Sequence, residues 1–190
     1  VDLELVRADM DAPLPFADAR FDAVTSRLSL MVARDPVSTT RELARVLAPG
    51  GRIATVLWAS LSDNPWFSAP RDAIREVLGQ DRASFASAFG RLGAPDEAAA
   101  AHRAAGLIDV GQQVLLERIA RADATDHWRQ IARDNGHFRR VDETLDDAER
   151  VAIVRDLSRR LDRFRESGTR MAIPRTIILV TARRPIATDS

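Results

Sequence analysis

Phe21-Asp22-Ala23-Val24-Thr25, then a helix opened by Asp35-Pro36, then Arg52-Ile53-Ala54-Thr55-Val56-Leu57-Trp58 read as strand, helix and strand. Both strand runs are apolar enough for strands buried on two faces. Asp35 suits the N-cap, where a carboxylate accepts first-turn amides, and Pro36 suits the first helical position. Leu43, Val46 and Leu47 make the apolar stripe, and Pro49-Gly50-Gly51 supplies the stop.

Upstream, Leu3, Leu5 and Val6 read as a further short strand. Pro13 and Pro15 make 11–18 a loop. Strand, loop, strand, helix, strand predicts an α/β fold: a doubly wound, mostly parallel sheet with helices on both faces. Downstream, Asn64-Pro65 opens a helix ending near Gly79, and a second runs from Asp96 to Ala105. Ile108 to Ile119 contains a strand, with Val110, Val114 and Leu116 on one face. A helix over 126–135 stops at Gly136. Another starts at Thr144, with Asp147 as capping-box partner and Val154, Leu157, Leu161 and Phe164 as its stripe. Ile177 to Thr181 is a closing strand. Three regions of one domain follow: 1–58, a mostly helical 59–175 with one strand, and 176–182.

The chain has 190 residues, 28 basic and 28 acidic side chains, and no net charge. That argues against a nucleic-acid binder. It has no cysteine, tyrosine or lysine, so all its basic residues are arginine. Disulfides, cysteine nucleophiles, Schiff-base lysines and a P-loop lysine are excluded. No stretch reaches the ~20 apolar residues of a membrane helix, and no signal peptide is visible, so a cytoplasmic protein is expected.

His102, His127 and His137 lack metal-ligand spacing. Gly90-Arg91-Leu92-Gly93 matches a GxxG backbone clamp of RNA-binding domains, but neutral charge and its surroundings favour an ordinary loop.

One ordered set remains. Asp9-Met10 follows the first run, then come Leu14-Pro15-Phe16, Phe21-Asp22-Ala23-Val24, Ser26-Arg27, Asp35-Pro36 and Leu47-Ala48-Pro49-Gly50-Gly51-Arg52. This order resembles the class I S-adenosylmethionine-dependent methyltransferases, especially the ubiquinone and menaquinone C-methyltransferases. Ala104-Ala105-Gly106-Leu107 and Leu179-Val180-Thr181-Ala182-Arg183-Arg184-Pro185 extend the likeness. One extra residue, Pro13, departs from the commonest spacing.

The resemblance implies S-adenosylmethionine as cofactor. Asp9 would accept from the adenine amino group and the Met10 amide would meet a ring nitrogen. Ser26 and Arg27 would lie near the methionine part, and Leu30 and Met31 would line the transfer pocket. Asp22 would be structural. Methyl transfer leans on positioning and desolvation, so a conspicuous catalytic group is not required. Candidates for a base are His127, Asp126 and His137, each with a competing reading as a helix-end polar residue. Trp66, Phe67, Trp128 and Phe138 would wall the pocket of a small-molecule acceptor or pack helices on the sheet. A homodimer is left open.

The family's glycine-rich turn and its ribose-binding acid have no counterpart here. The resemblance therefore implies a chain beginning at the family's third strand, N-terminally truncated, without the first two strands. Residues 1–9 would then be displaced, edge-like or paired unusually, and this piece alone would bind S-adenosylmethionine poorly. Two alternatives are a non-catalytic module that kept the fold but lost the cofactor, and another doubly wound nucleotide enzyme such as a dehydrogenase. The order of Leu14-Pro15-Phe16 before Pro49-Gly50-Gly51 argues against the second.

Overall fold

The computed structural model describes residues 3–79, 89–166 and 170–186. Its strands are β1 (Phe21–Arg27), β2 (Leu47–Trp58), β3 (Ile108–Arg121) and β4 (Met171–Arg183). They form one sheet in the order β1-β2-β4-β3. β1 runs parallel to β2, with Val24 beside Ile53 and Ser26 beside Thr55. β4 is antiparallel to β2, from Arg52 beside Arg183 to Trp58 beside Ile177. The ion pairs Asp109–Arg183 and Glu117–Arg175 climb β3 while descending β4, so these two strands are also antiparallel. The α/β class holds, and its parallel part is the β1–β2 pair that α1 (Pro36–Val46) connects.

The described residues divide into two compact units. The first holds 3–60, 89–115 and 177–186. One face of its core joins Leu30, Met31, Leu57, Ile178 and Val180, with Met10, Trp58 and Phe89 against them. A second cluster joins Leu47, Ile53, Leu107 and Ala182. α3 (Glu97–Ala104) carries His102, which is fully buried. Its Nδ1 lies 2.8 Å from the Ala98 carbonyl, which only accepts, so Nδ1 carries the proton. Nε2 then accepts from the Thr55 hydroxyl at 3.0 Å. Burial lowers its pKa and keeps the ring neutral.

The Gly90–Gly93 pair is a turn. Gly90 takes φ +81°, and a Cβ on Gly93 would lie 2.8 Å from backbone atoms of Ala59 and Ser60. Glycine is required there by close approach.

The second unit holds 61–79, 116–166 and 170–176. Its helices are α2 (Pro65–Leu78), α4 (Ala124–Asp134), α5 (Gly136–Asp142) and α6 (Asp147–Leu161). Phe138 is fully buried, with edge-on ring contacts to Phe67 at 5.3 Å and Trp128 at 6.3 Å between centroids. Pro174 lies in β4 beyond the end of its pairing with β2, where a missing N–H breaks no bond of that ladder. Two residues on, buried Asn64 substitutes for a strand. Its amide donates to the Thr176 carbonyl at 3.0 Å and accepts from the Thr176 N–H at 2.9 Å.

Several expectations change. Leu3–Val6 forms no strand: Leu3 and Leu5 are 80% and 87% exposed, and among the described residues nothing pairs with the outer edge of β1. β1 is accordingly exposed at most positions rather than buried on both faces. Val114 and Leu116 are exposed because β3 is the other edge. Gly136 does not stop a helix; it starts α5, because the Asn135 side chain accepts from the His137 and Phe138 amides. The capping box uses Asp146 and Glu149 instead of Thr144 and Asp147. No helix among the described residues is long and apolar enough to cross a membrane.

Candidate functional site

In open α/β sheets, ligands gather beyond the carboxyl ends of the parallel strands. At the end of β1 the chain turns sharply: Leu28 takes φ +58°, a region a leucine rarely enters, and its N–H donates to the Val56 carbonyl at 2.8 Å. This turn folds Ser29 back onto Ser26, with hydroxyls 2.9 Å apart. Leu30 and Met31 continue inward and are buried in the core.

Beside this turn lies a pocket of about 170 Å³. Met10, Leu14, Leu30 and Leu43 give it apolar walls, and Thr25, Ser26, Ser29, Thr39 and Glu42 give it polar atoms. The structure thus brings Met10, Ser26 and Leu30 together from the predicted set. A second cleft of about 290 Å³ shares Met10, Thr39 and Glu42 and extends to Asp11, Arg34 and Asp35.

Asp9 is exposed and its carboxylate accepts from the Asp11 amide at 3.0 Å, a local turn bond. The Met10 N–H has no partner among the described residues, while its carbonyl accepts from the Thr39 hydroxyl at 3.3 Å. Arg27 is exposed and makes no ion pair among the described residues.

The loop is held in place by residues that the sequence reading missed. The Leu14 amide donates to Glu42 Oε1 at 2.7 Å. Arg45 donates to the Phe16 and Leu14 carbonyls at 2.9 and 3.1 Å and to Asp18 Oδ1 at 2.6 Å. The Arg45 hydrogen bond holds the Glu42 carboxyl below its ordinary pKa. The Arg34 amide donates to Asp11 Oδ1 at 2.8 Å, tying the other side of the loop down. A Glu–Arg spacing of three on one helix was the available signal, but it names no target.

The other predicted site residues lie in the second unit. His127 is buried, and its Nε2 donates to the Trp66 carbonyl at 2.8 Å. Its Nδ1 is therefore unprotonated, and has no partner among the described residues. Burial pushes its pKa down to about 4, so it is neutral near pH 7. Asp126 accepts from Gln130 at 2.8 Å and from the Ala122 amide at 3.0 Å, and the Gln130 bond leads in holding its pKa down. His137 is half-buried, with its pKa lowered by burial. Trp128 Nε1 donates to Asp142 at 2.8 Å and Trp66 Nε1 to Asn64 at 3.0 Å. Trp66, Phe67, Trp128 and Phe138 thus form an aromatic cluster in the helical packing. Trp128 also edges a cavity of about 710 Å³ between α4 and α6.

Residues 1–55 match the model of the family described as a methyltransferase domain. An uncharacterized protein of Mycobacterium tuberculosis is 47% identical over 45 residues, which cover 24% of this chain and 16% of that protein. A demethylmenaquinone methyltransferase of Beutenbergia cavernae is 41% identical over 73 residues, covering 38% of this chain and 28% of that enzyme. These matches span well under two thirds of the relatives' lengths.

Among solved structures, the YcgJ protein of Bacillus subtilis is similar with a TM-score of 0.52 at 18% identity, over 95% of this chain and 70% of that one. A Bacillus halodurans protein provisionally assigned as a methyltransferase is similar with a TM-score of 0.51 at 19% identity, over 96% and 78% of the two chains. At such identities the likeness is one of fold. Over residues 1–55 the chain is thus similar to a methyltransferase domain, and it shares its fold with these two structures.

Proposed function

We propose that the pocket at the end of β1 forms one side of an S-adenosylmethionine site in a methyltransferase acting on a small molecule. The observation that carries this reading is the convergence of Met10, Ser26 and Leu30 on one pocket at a strand's carboxyl end. The pocket suits a flat, partly polar ring, with apolar walls, hydroxyls and the unpartnered Met10 N–H at its side. Its volume of about 170 Å³ is below the ~300 Å³ at which ligand pockets usually begin, so it takes a part of the cofactor. Bound S-adenosylmethionine supplies a methyl group on a sulfonium centre. Met10 and Ser26 bind and orient, and Leu30 walls the pocket against water, backed by Met31 in the core. His127, Asp126 and His137 are assigned no proton transfer: two of them already hold fixed hydrogen bonds, and His127 is shielded from solvent.

The competing reading, a fold that has given up its cofactor, draws on Asp9, whose carboxylate is spent on Asp11 and does not line the pocket. One experiment separates the two. S-adenosylhomocysteine is titrated calorimetrically into the protein and into Ser26→Phe, which fills the pocket. The cofactor reading expects weak but saturable binding, as one side of a site gives, that weakens at least a further tenfold in the variant. Absence of binding, or equal binding by both proteins, favours the module. If binding holds, transfer from labelled S-adenosylmethionine to a panel of quinones and other small acceptors tests the reaction.

A further inference from the structure

β3 ends the strand order, and no strand pairs with its outer edge among the described residues. It is 14 residues long, more than twice an ordinary strand. Val114, Leu115 and Leu116 are 63%, 40% and 59% exposed. Monomeric proteins usually blunt such an edge with proline, a short strand or charges among the apolar positions. The centre of β3 has none of these: 112–118 reads Gln-Gln-Val-Leu-Leu-Glu-Arg, without a proline or a charge among its three aliphatics.

That segment is a palindrome of polarity. Turned end for end about Leu115, Val114 faces Leu116, Gln113 faces Glu117 and Gln112 faces Arg118. Each charged group then meets an amide able to donate to the carboxylate or accept from the guanidinium. Gly111 faces Ile119. Centring on Val114 instead sets Glu117 against Gly111, Arg118 against Val110 and Gln112 against Leu116. Centring on Leu116 sets Glu117 against Leu115 and Arg118 against Val114. Only the Leu115 centre matches polar with polar and apolar with apolar. The pattern ends before Asp109, whose φ of +52° takes it out of extended backbone.

We propose that the β3 edge is a homodimer surface, with β3 of one copy antiparallel to β3 of a second about a twofold axis at Leu115. The two four-stranded sheets then join into one, and the contact is closed: each copy uses its edge once. Backbone bonds supply the attraction, and the match around Leu115 supplies the register.

The chain has no cysteine, so single cysteines report the register directly. Facing residues across an antiparallel pair have Cα atoms about 4.5–5.5 Å apart, within disulfide range. Leu115→Cys is expected to oxidise to a linked dimer of twice 21.0 kDa. Glu117→Cys alone is expected not to link, because two such residues lie roughly 13 Å apart along the strands. A mixture of Gln113→Cys and Glu117→Cys is expected to link. In sedimentation velocity the unmodified chain is expected to dimerise with concentration, and Leu115→Arg, at an exposed position, to weaken this at least tenfold. A monomer at every concentration overturns the proposal. So does open-ended association, a dimer untouched by Leu115→Arg, or cross-links in another register.

Discussion

Glu42 and Arg45, one turn apart on α1, meet at 2.6 Å and together hold the loop that carries Met10 and Leu14. Arg45→Ala removes five hydrogen bonds at once, two of them to loop carbonyls. The expected loss of stability is concentrated in the loop. Hydrogen exchange at the Leu14 amide checks it: protection falls in Arg45→Ala and in Glu42→Ala while the middle of α1 keeps its own. Unchanged Leu14 protection in both variants rules the strap out.

His127 sets an acid limit on stability. Unfolded, an imidazole takes up a proton below about pH 6.5; folded, His127 resists until about 4. Between these values the unfolded state binds more protons, so stability is complete above pH 6.5 and drains away as pH falls toward 4. The difference is on the order of 3 kcal/mol for this residue. His102 shifts in the same direction, also by burial, and adds to the trend. Urea unfolding at several pH values is the measurement. His127→Gln, whose amide can still donate to the Trp66 carbonyl, is expected to flatten the slope in this window. A variant with the wild-type slope removes His127 as the cause.

Asn64→Ala deprives the Thr176 N–H and C=O of their shared partner in a buried place. Leaving two buried backbone groups unpaired costs about 2–4 kcal/mol. The urea midpoint should fall with the m-value unchanged. Asn64→Asp, which keeps the acceptor and loses the donor, should fall between the two.

Gly51→Ala and Gly79→Ala separate crowding from backbone strain. A Cβ on Gly51 meets the Ala48 and Asp22 carbonyl oxygens at 2.8 and 3.0 Å, and both are backbone atoms. Gly79 has open space but sits at φ +85°. Gly79→Ala is expected to cost about 1 kcal/mol and Gly51→Ala to cost more, with β1 pushed off β2. Thermal unfolding of the two variants side by side decides the order.

What the sequence made readable was local. Asp35-Pro36, Pro65, Gly79 and Gly106 mark helix ends by their own side-chain and backbone chemistry, and the structure places those boundaries there. The parts that escaped depend on distant partners. Leu3-Glu4-Leu5-Val6 has a strand's apolar content, but a strand exists only against a neighbour, and residues 3–6 have none among the described residues. Val114 and Leu116 look like a buried face until the strand order makes β3 an edge. Asn135 beside Gly136 reads as a helix end, and its capping of α5 shows only in the structure. The site divides the same way. Met10, Ser26 and Leu30 follow from motif order, whereas Glu42 and Arg45 reach residues 27 to 31 positions upstream.

The two buried histidines are locked in opposite tautomers, Nδ1–H in His102 and Nε2–H in His127. Imidazole nitrogens have sharply different magnetic resonance frequencies with and without a proton, so one spectrum distinguishes the two rings without any label beyond nitrogen-15. Because one ring sits in each compact unit, the molecule carries a private reporter for either half. Heat, acid or a bound ligand that loosens only one unit will blur one tautomer's signals and leave the other's sharp.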